Sequence, residues 1–151
     1  MILKDKIQIY RPPDVVWSYL RSPARMKEWD PKIKAVVPVS WGDPAEGYRY
    51  RVRFKMNSRE GNFLAEFLEY QEPAKLIVHL SGGNLPVKGY IQEIYELTEN
   101  SRGTLLRHRF EVHNSGGHIF SNCLILFIHN SFRIFSREKH LRALKELVET
   151  I

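Results

Sequence analysis

A single cysteine, Cys123, stands among 151 residues. No disulfide can close within the chain, which fits a reducing compartment. Cys123 lies in the run Cys123-Leu-Ile-Leu-Phe-Ile128 and reads as a small buried hydrophobe rather than a nucleophile. No HExxH pattern, cysteine pair or acidic cluster accompanies His113, His118, His129 and His140, so the compact set of ligands that a zinc site needs is missing, and neither a metal nor a cofactor is expected. The glycine pairs Gly82-Gly83 and Gly116-Gly117 lack the residues that make a phosphate-cradling loop. The opening Met-Ile-Leu-Lys-Asp-Lys has no apolar core of a signal peptide, and a cytoplasmic location is expected. The longest apolar stretch, Ile119 to Phe135, is broken by Ser121, Asn122, His129, Asn130 and Arg133, and it is too short to span a bilayer. Repeats, linkers and low-complexity segments are also lacking, so residues 1–151 are expected to form one domain.

What is present is ordinary for a globular chain: 43% hydrophobic and 26% charged residues, with a formal net charge of +6. The modest positive charge bears on encounter and solubility rather than on a particular site. Residues 4–10 alternate as a strand. Pro13 can open a short helix through Leu20, because the N–H it lacks has no partner in a first helical turn. A second short helix is expected over Ala24–Trp29. Strands follow over Lys32–Trp41, Tyr48–Met56, Asn62–Tyr70, Lys75–Ser81, Val87–Leu97 and Thr104–Asn114, separated by turn clusters. The last third, 118–150, reads as one long helix. Its stripe runs through Phe120, Leu124, Phe127, Ile134, Leu141 and Val148. Its second half is amphipathic; its first half is apolar on nearly every side and must face a core, a cavity, a second copy or a membrane surface. Sequential strands with short connections argue for an antiparallel meander, hence an α+β fold.

Two segments, Ile9-Tyr-Arg-Pro-Pro-Asp-Val-Val-Trp-Ser-Tyr-Leu20 and Trp29-Asp-Pro-Lys-Ile33, resemble the opening of the polyketide cyclase/dehydrase family of the START/Bet v 1-like (SRPBCC) superfamily. The likeness continues through Glu69-Tyr-Gln-Glu-Pro-Ala-Lys-Leu76 and Gly103-Thr-Leu-Leu106 to the terminal helix. It implies the helix-grip fold: a curved seven-stranded antiparallel sheet around a long C-terminal helix, two short helices after the first strand, and an apolar cavity between sheet and helix. Members of the family include lipid and hormone binders and aromatase/cyclases. The family has no shared catalytic signature.

Alternation places side chains inside that cavity. Leu106, His108, Phe110 and Val112 share one face of the last strand, and Ile91, Glu93, Tyr95 and Leu97 one face of the strand before it. With Thr98–Gly103 as the loop, Glu93 opposes His108 and Tyr95 opposes Leu106. An inward Glu93–His108 pair is therefore expected, and a slip of one residue would separate the two onto opposite faces. Glu93 could hold His108 in one tautomer and leave its other nitrogen free as a base. Tyr48, Tyr50, Phe54, Phe67, Tyr95 and Phe110, with Phe120, Leu124 and Phe127 from the helix, are the expected walls of a pocket for a small hydrophobic or aromatic molecule.

Three readings stay open. The first is a binding protein. The second is a cyclase or dehydratase with His108 as general base oriented by Glu93. The third is an interaction module that uses the apolar half-helix to form a homodimer or to contact, without spanning, a membrane. The outward stripe Arg49, Arg51, Arg53 and Lys55 could meet nucleic acid phosphates or acidic lipid heads, but it reads as a solvated face, and no nucleic acid partner is expected.

Overall fold

The computed structural model describes residues 2–56, 59–83, 89–113 and 139–150. Strand β1 (Ile2–Ile9) ends at the diproline. Pro13 then opens helix α1 (Pro13–Leu20), which buries Val16, Trp17, Tyr19 and Leu20. A 3-10 turn over Pro23–Arg25 leads into the single-turn helix α2 (Met26–Trp29). Six strands follow: β2 (Ile33–Pro38), β3 (Arg49–Met56), β4 (Arg59–Gln71), β5 (Lys75–Ser81), β6 (Tyr90–Asn100) and β7 (Gly103–His113). The described part of the C-terminal helix is α3 (Lys139–Glu149). The first half of the expected long helix, with Phe120, Leu124 and Phe127, lies outside the described residues, as does Cys123.

Among the described residues the strands form one antiparallel sheet in the order β1-β7-β6-β5-β4-β3-β2. Strands β2 to β7 follow one another as a meander, and β1 joins the far edge through β7. Register shifts in β2 between Ile33 and Ala35, and in β4 between Phe67 and Glu69, mark bulges, which bend and twist a strand. On the inner face Tyr50, Val52, Ala65, Phe67, Leu76, Val78, Ile91, Leu106 and Phe110 are buried together. Helix α3 closes this face through Leu141, Leu144 and Val148, which recur at helical spacing, and it packs on β1, α2 and α1. Each of these apolar side chains contributes on the order of 1.5–3 kcal/mol by leaving water.

The β6–β7 hairpin differs from the expected one. Polar Thr98, Glu99 and Asn100 do not end β6; they continue the ladder, opposite Leu105, Thr104 and Gly103. The loop is only Ser101-Arg102, closed by the Arg102 N–H donating to Asn100 Oδ1 at 3.0 Å. The register therefore moves by two residues from the expected one: Tyr95 opposes His108, and Glu93 opposes Phe110. A two-residue shift leaves every side chain on its expected face.

Gly103 holds this turn at φ 128°. A Cβ there would come within 2.4 Å of the Ile9 carbonyl oxygen and 2.7 Å of the Arg11 nitrogen. Gly103→Ala is accordingly expected to lower unfolding stability by about 2 kcal/mol or more, as backbone strain and a backbone clash combine. Urea denaturation of the two proteins measures this.

Candidate functional site

Strand alternation delivers Glu93, Tyr95 and His108 to the concave face, where all three are buried. Although Glu93 and His108 are diagonal rather than opposed, His108 Nε2 lies 3.2 Å from Glu93 Oε2. Diagonal neighbours on a sheet are within reach of long side chains. The opposed residue, Tyr95, instead stacks its ring on that of His108, with centroids 4.6 Å apart and planes at 24°. Its hydroxyl donates to the same Glu93 oxygen at 2.7 Å.

The nitrogen of His108 that was expected to be free is engaged. Nδ1 faces His140 Nε2 at 3.3 Å, and the His140 ring meets His108 edge-on. His140 comes from the first turn of α3, one and two turns before Leu144 and Val148, on the stripe that faces the sheet. That spacing is the sequence signal that could have found it. Ionised Glu93 is an acceptor only, so His108 donates to it from Nε2–H. Two arrangements then satisfy the rest of the line. Either His140 Nε2–H donates to an unprotonated His108 Nδ1, or a protonated His108 donates from Nδ1–H to His140 Nε2. They differ by one proton.

Two further charged side chains belong to this site, and neither was expected. Asp30 and Lys32 flank Pro31 and are almost wholly buried. Asp30 Oδ1 accepts the Lys32 backbone N–H at 3.0 Å, a local turn that Asp commonly makes. The Lys32 ammonium lies 3.4 Å from Asp30 Oδ2. The residues were legible as a helix terminator and a strand start, but the sequence holds no sign that the lysine turns inward.

These charges set the ionisation of the site. Burial alone would push Glu93 up. The Lys32 charge, the hydrogen bond and charge of His108 and the Tyr95 hydroxyl outweigh it and hold the carboxyl well below the usual range. Burial raises Asp30 against the pull of Lys32, and the Glu93 charge adds to the rise. Lys32 is driven down by burial but ends above its ordinary value because Asp30 and Glu93 face it. Burial and the Glu93 charge raise Tyr50 and Tyr95 well above the ordinary phenol, so both stay protonated. Burial, then Lys32 and His108, lower His140 well below the ordinary imidazole, so it is neutral near pH 7.

The aromatic residues expected as walls divide into groups. Tyr50, Phe54 and Tyr95 line a small cavity of about 20 Å³ together with Met26, Trp29 and Glu93. That is room for about one water. The Tyr50 hydroxyl rests on Met26 Sδ at 3.5 Å. Phe67 is fully buried beside Tyr50, with ring centroids 5.8 Å apart, and the half-buried Tyr48 packs against both rings. Phe110 is buried opposite Glu93. No cluster of three or more potential metal ligands occurs among the described residues. No helix among them is long and apolar enough to cross a membrane.

A family model described as "Polyketide cyclase / dehydrase and lipid transport" matches residues 2–149. Solved structures share the fold at low identity. A Thermus thermophilus protein is 14% identical with a TM-score of 0.78, over 99% of this chain and 98% of that one. An aromatase/cyclase from a Streptomyces species is 14% identical with a TM-score of 0.74, over 99% and 93%. A START superfamily protein from Mycobacterium smegmatis is 15% identical with a TM-score of 0.70, over 99% and 97%. No curated protein sequence matches the chain. The fold is thus the helix-grip fold of the START and Bet v 1-like proteins.

Two outcomes follow for the buried charges. Lys32→Met strands two carboxylates in the core, and it is expected to cost about 3–5 kcal/mol of unfolding stability. For His140 the folded state binds its proton less readily than the unfolded state, where the imidazole titrates near 6.5. Stability that is fully present above that value is therefore lost as pH falls through it, by at most about 1.4 kcal/mol per pH unit. Urea denaturation at about pH 7.5 and about pH 5.5 should show this slope, and His140→Gln should flatten it.

Proposed function

We propose, because the chain belongs to the polyketide cyclase/dehydrase and lipid transport family, that it binds a small hydrophobic or aromatic molecule between the sheet and the C-terminal helix. One observation carries this reading: the hydrogen-bonded line Glu93–His108–His140 is set among aromatic and aliphatic side chains on the concave face. An apolar wall with a few convergent polar groups is the usual character of a small-molecule site. Tyr50, Phe54 and Tyr95 contribute the wall nearest Glu93, while the polar line orients a ligand that carries a hydroxyl or carbonyl group. Phe120, Leu124 and Phe127 belong to the same proposal, as the helix side of the pocket.

Native mass spectrometry of freshly purified protein, with organic extraction of what co-purifies, tests the proposal. A discrete apolar compound at near-stoichiometric occupancy is the expected result. His140→Ala, which removes the end of the line that meets the ligand, should then weaken its binding by roughly tenfold, the scale of one lost hydrogen bond. Retention of the compound at unchanged affinity in His140→Ala and Glu93→Gln would remove the polar line from the site.

The engagement of both His108 nitrogens favours a second reading, a cyclase or dehydratase. A proton accepted at His140 Nδ1 passes from His140 Nε2 to His108 Nδ1, and the imidazolium so formed is balanced by Glu93. His108 remains the base oriented by Glu93, and His140 becomes its contact with substrate. Under this reading turnover of a polyketide-like substrate falls roughly 10²- to 10⁴-fold in His108→Ala while the protein stays folded. Unchanged turnover would eliminate it.

A further inference from the structure

Of the three tryptophans, Trp17 and Trp29 are buried, whereas Trp41 is 98% exposed. An indole left in water is costly, and Trp41 is not isolated. It follows edge strand β2, whose outward residues Val37 and Val39 are 58% and 47% exposed. The Val39 and Ser40 N–H groups both donate to the Arg49 carbonyl at 3.0 Å, so the chain stays fastened to β3 up to the residue before Trp41. Behind this apolar edge runs a row of arginines. Ala35 opposes Arg53, Val37 opposes Arg51, and Arg49 lies level with Val39 and Ser40. Arg49 has Glu66 at 4.0 Å, but among the described residues no carboxylate lies within ion-pair distance of Arg51 or Arg53.

We propose that this edge is a docking surface for an anionic lipid bilayer. Trp41, Val37 and Val39 enter the headgroup region, and Arg51 and Arg53, one strand back, reach the phosphate level. Tryptophan and arginine sit where one end of a surface is apolar and the other wet and negatively charged. Pairing with a strand of another protein fits less well. Pro38 has no N–H to offer on this edge, and the next two N–H groups point inward to Arg49. Single-stranded nucleic acid would need a run of outward aromatic platforms, and this edge has one. The surface is independent of what the interior holds.

Sedimentation of the full chain with vesicles of phosphatidylcholine alone, and with phosphatidylserine added, tests the proposal. Binding should require phosphatidylserine, weaken with added salt and shield Trp41 from acrylamide quenching. Arg51→Gln and Arg53→Gln should each lower partitioning roughly fivefold, and Trp41→Ser should lower it with unchanged thermal unfolding. Lys4→Gln with Lys6→Gln, which removes two positive charges from the opposite edge of the sheet, twice what either arginine variant removes, should leave binding nearly unchanged. Equal loss in that pair would mean bulk charge and overturn the site. So would indifference to phosphatidylserine, wild-type binding by the Trp41 and arginine variants, or protection of Trp41 by a single-stranded oligonucleotide but not by vesicles.

Discussion

An ionised carboxylate in the middle of an apolar sheet face must be compensated from every side, and Glu93 imposes that requirement on this molecule. Four neighbours meet it from four places in the chain. His108 comes from the adjacent strand, and Tyr95 lies two residues away on the same strand. Lys32 arrives from the start of β2, itself tied to Asp30, and His140 supports His108 from the closing helix. The cluster is therefore a point at which the meander, the helical connection after β1 and α3 must all be in place together. An apolar core alone would tolerate small displacements of α3. A hydrogen bond between His140 and His108 tolerates far less, because its energy falls steeply with distance and angle.

The same arrangement separates two roles that a histidine at this position could have. A lone inward His108 beside Glu93 would be a base with one nitrogen turned to the ligand. With His140 on that nitrogen, His108 sits in the middle of a line, and the group that meets a ligand moves to the helix side. The surroundings of His108 are thereby coupled to how α3 closes on the sheet. Under the proposed function, binding is a property of the contact between sheet and helix, not of the sheet alone.

The inner and outer faces of the sheet obey different rules although they come from the same strands. Inside, among the described residues, Asp30, Lys32 and Glu93 each have a charged or hydrogen-bonding partner within a few ångströms. Outside, β3 carries Arg49, Arg51, Arg53 and Lys55 in one row, and two of the four have carboxylates on β4. Water relieves the repulsion there at little cost. The outer face can thus concentrate charge, and at the β2 edge it also leaves valine and tryptophan side chains exposed, without endangering the fold.

The period-two alternation in Tyr48–Met56, Ile91–Leu97 and Leu106–Val112 was sufficient by itself to assign faces, because a residue in a strand has only two sides to choose from. It brought Glu93 and His108 to one surface even though the expected register was two residues off. The difference lies in Thr98, Glu99 and Asn100, which are strand and not loop. Polar residues pair in a ladder as readily as apolar ones once the strand runs into solvent, and a two-residue turn at Ser101-Arg102 took their place. What the sequence determined alone was the order of the described elements, the inward sets on β3, β6 and β7 and the α+β class, all local consequences of periodicity and turn chemistry. Tertiary structure alone decided which distant residues complete the site. Lys32 turns inward because Asp30 and Glu93 are there to receive it, and His140 meets His108 because α3 lies across that part of the sheet. Such meetings depend on long-range geometry, and no local pattern encodes them.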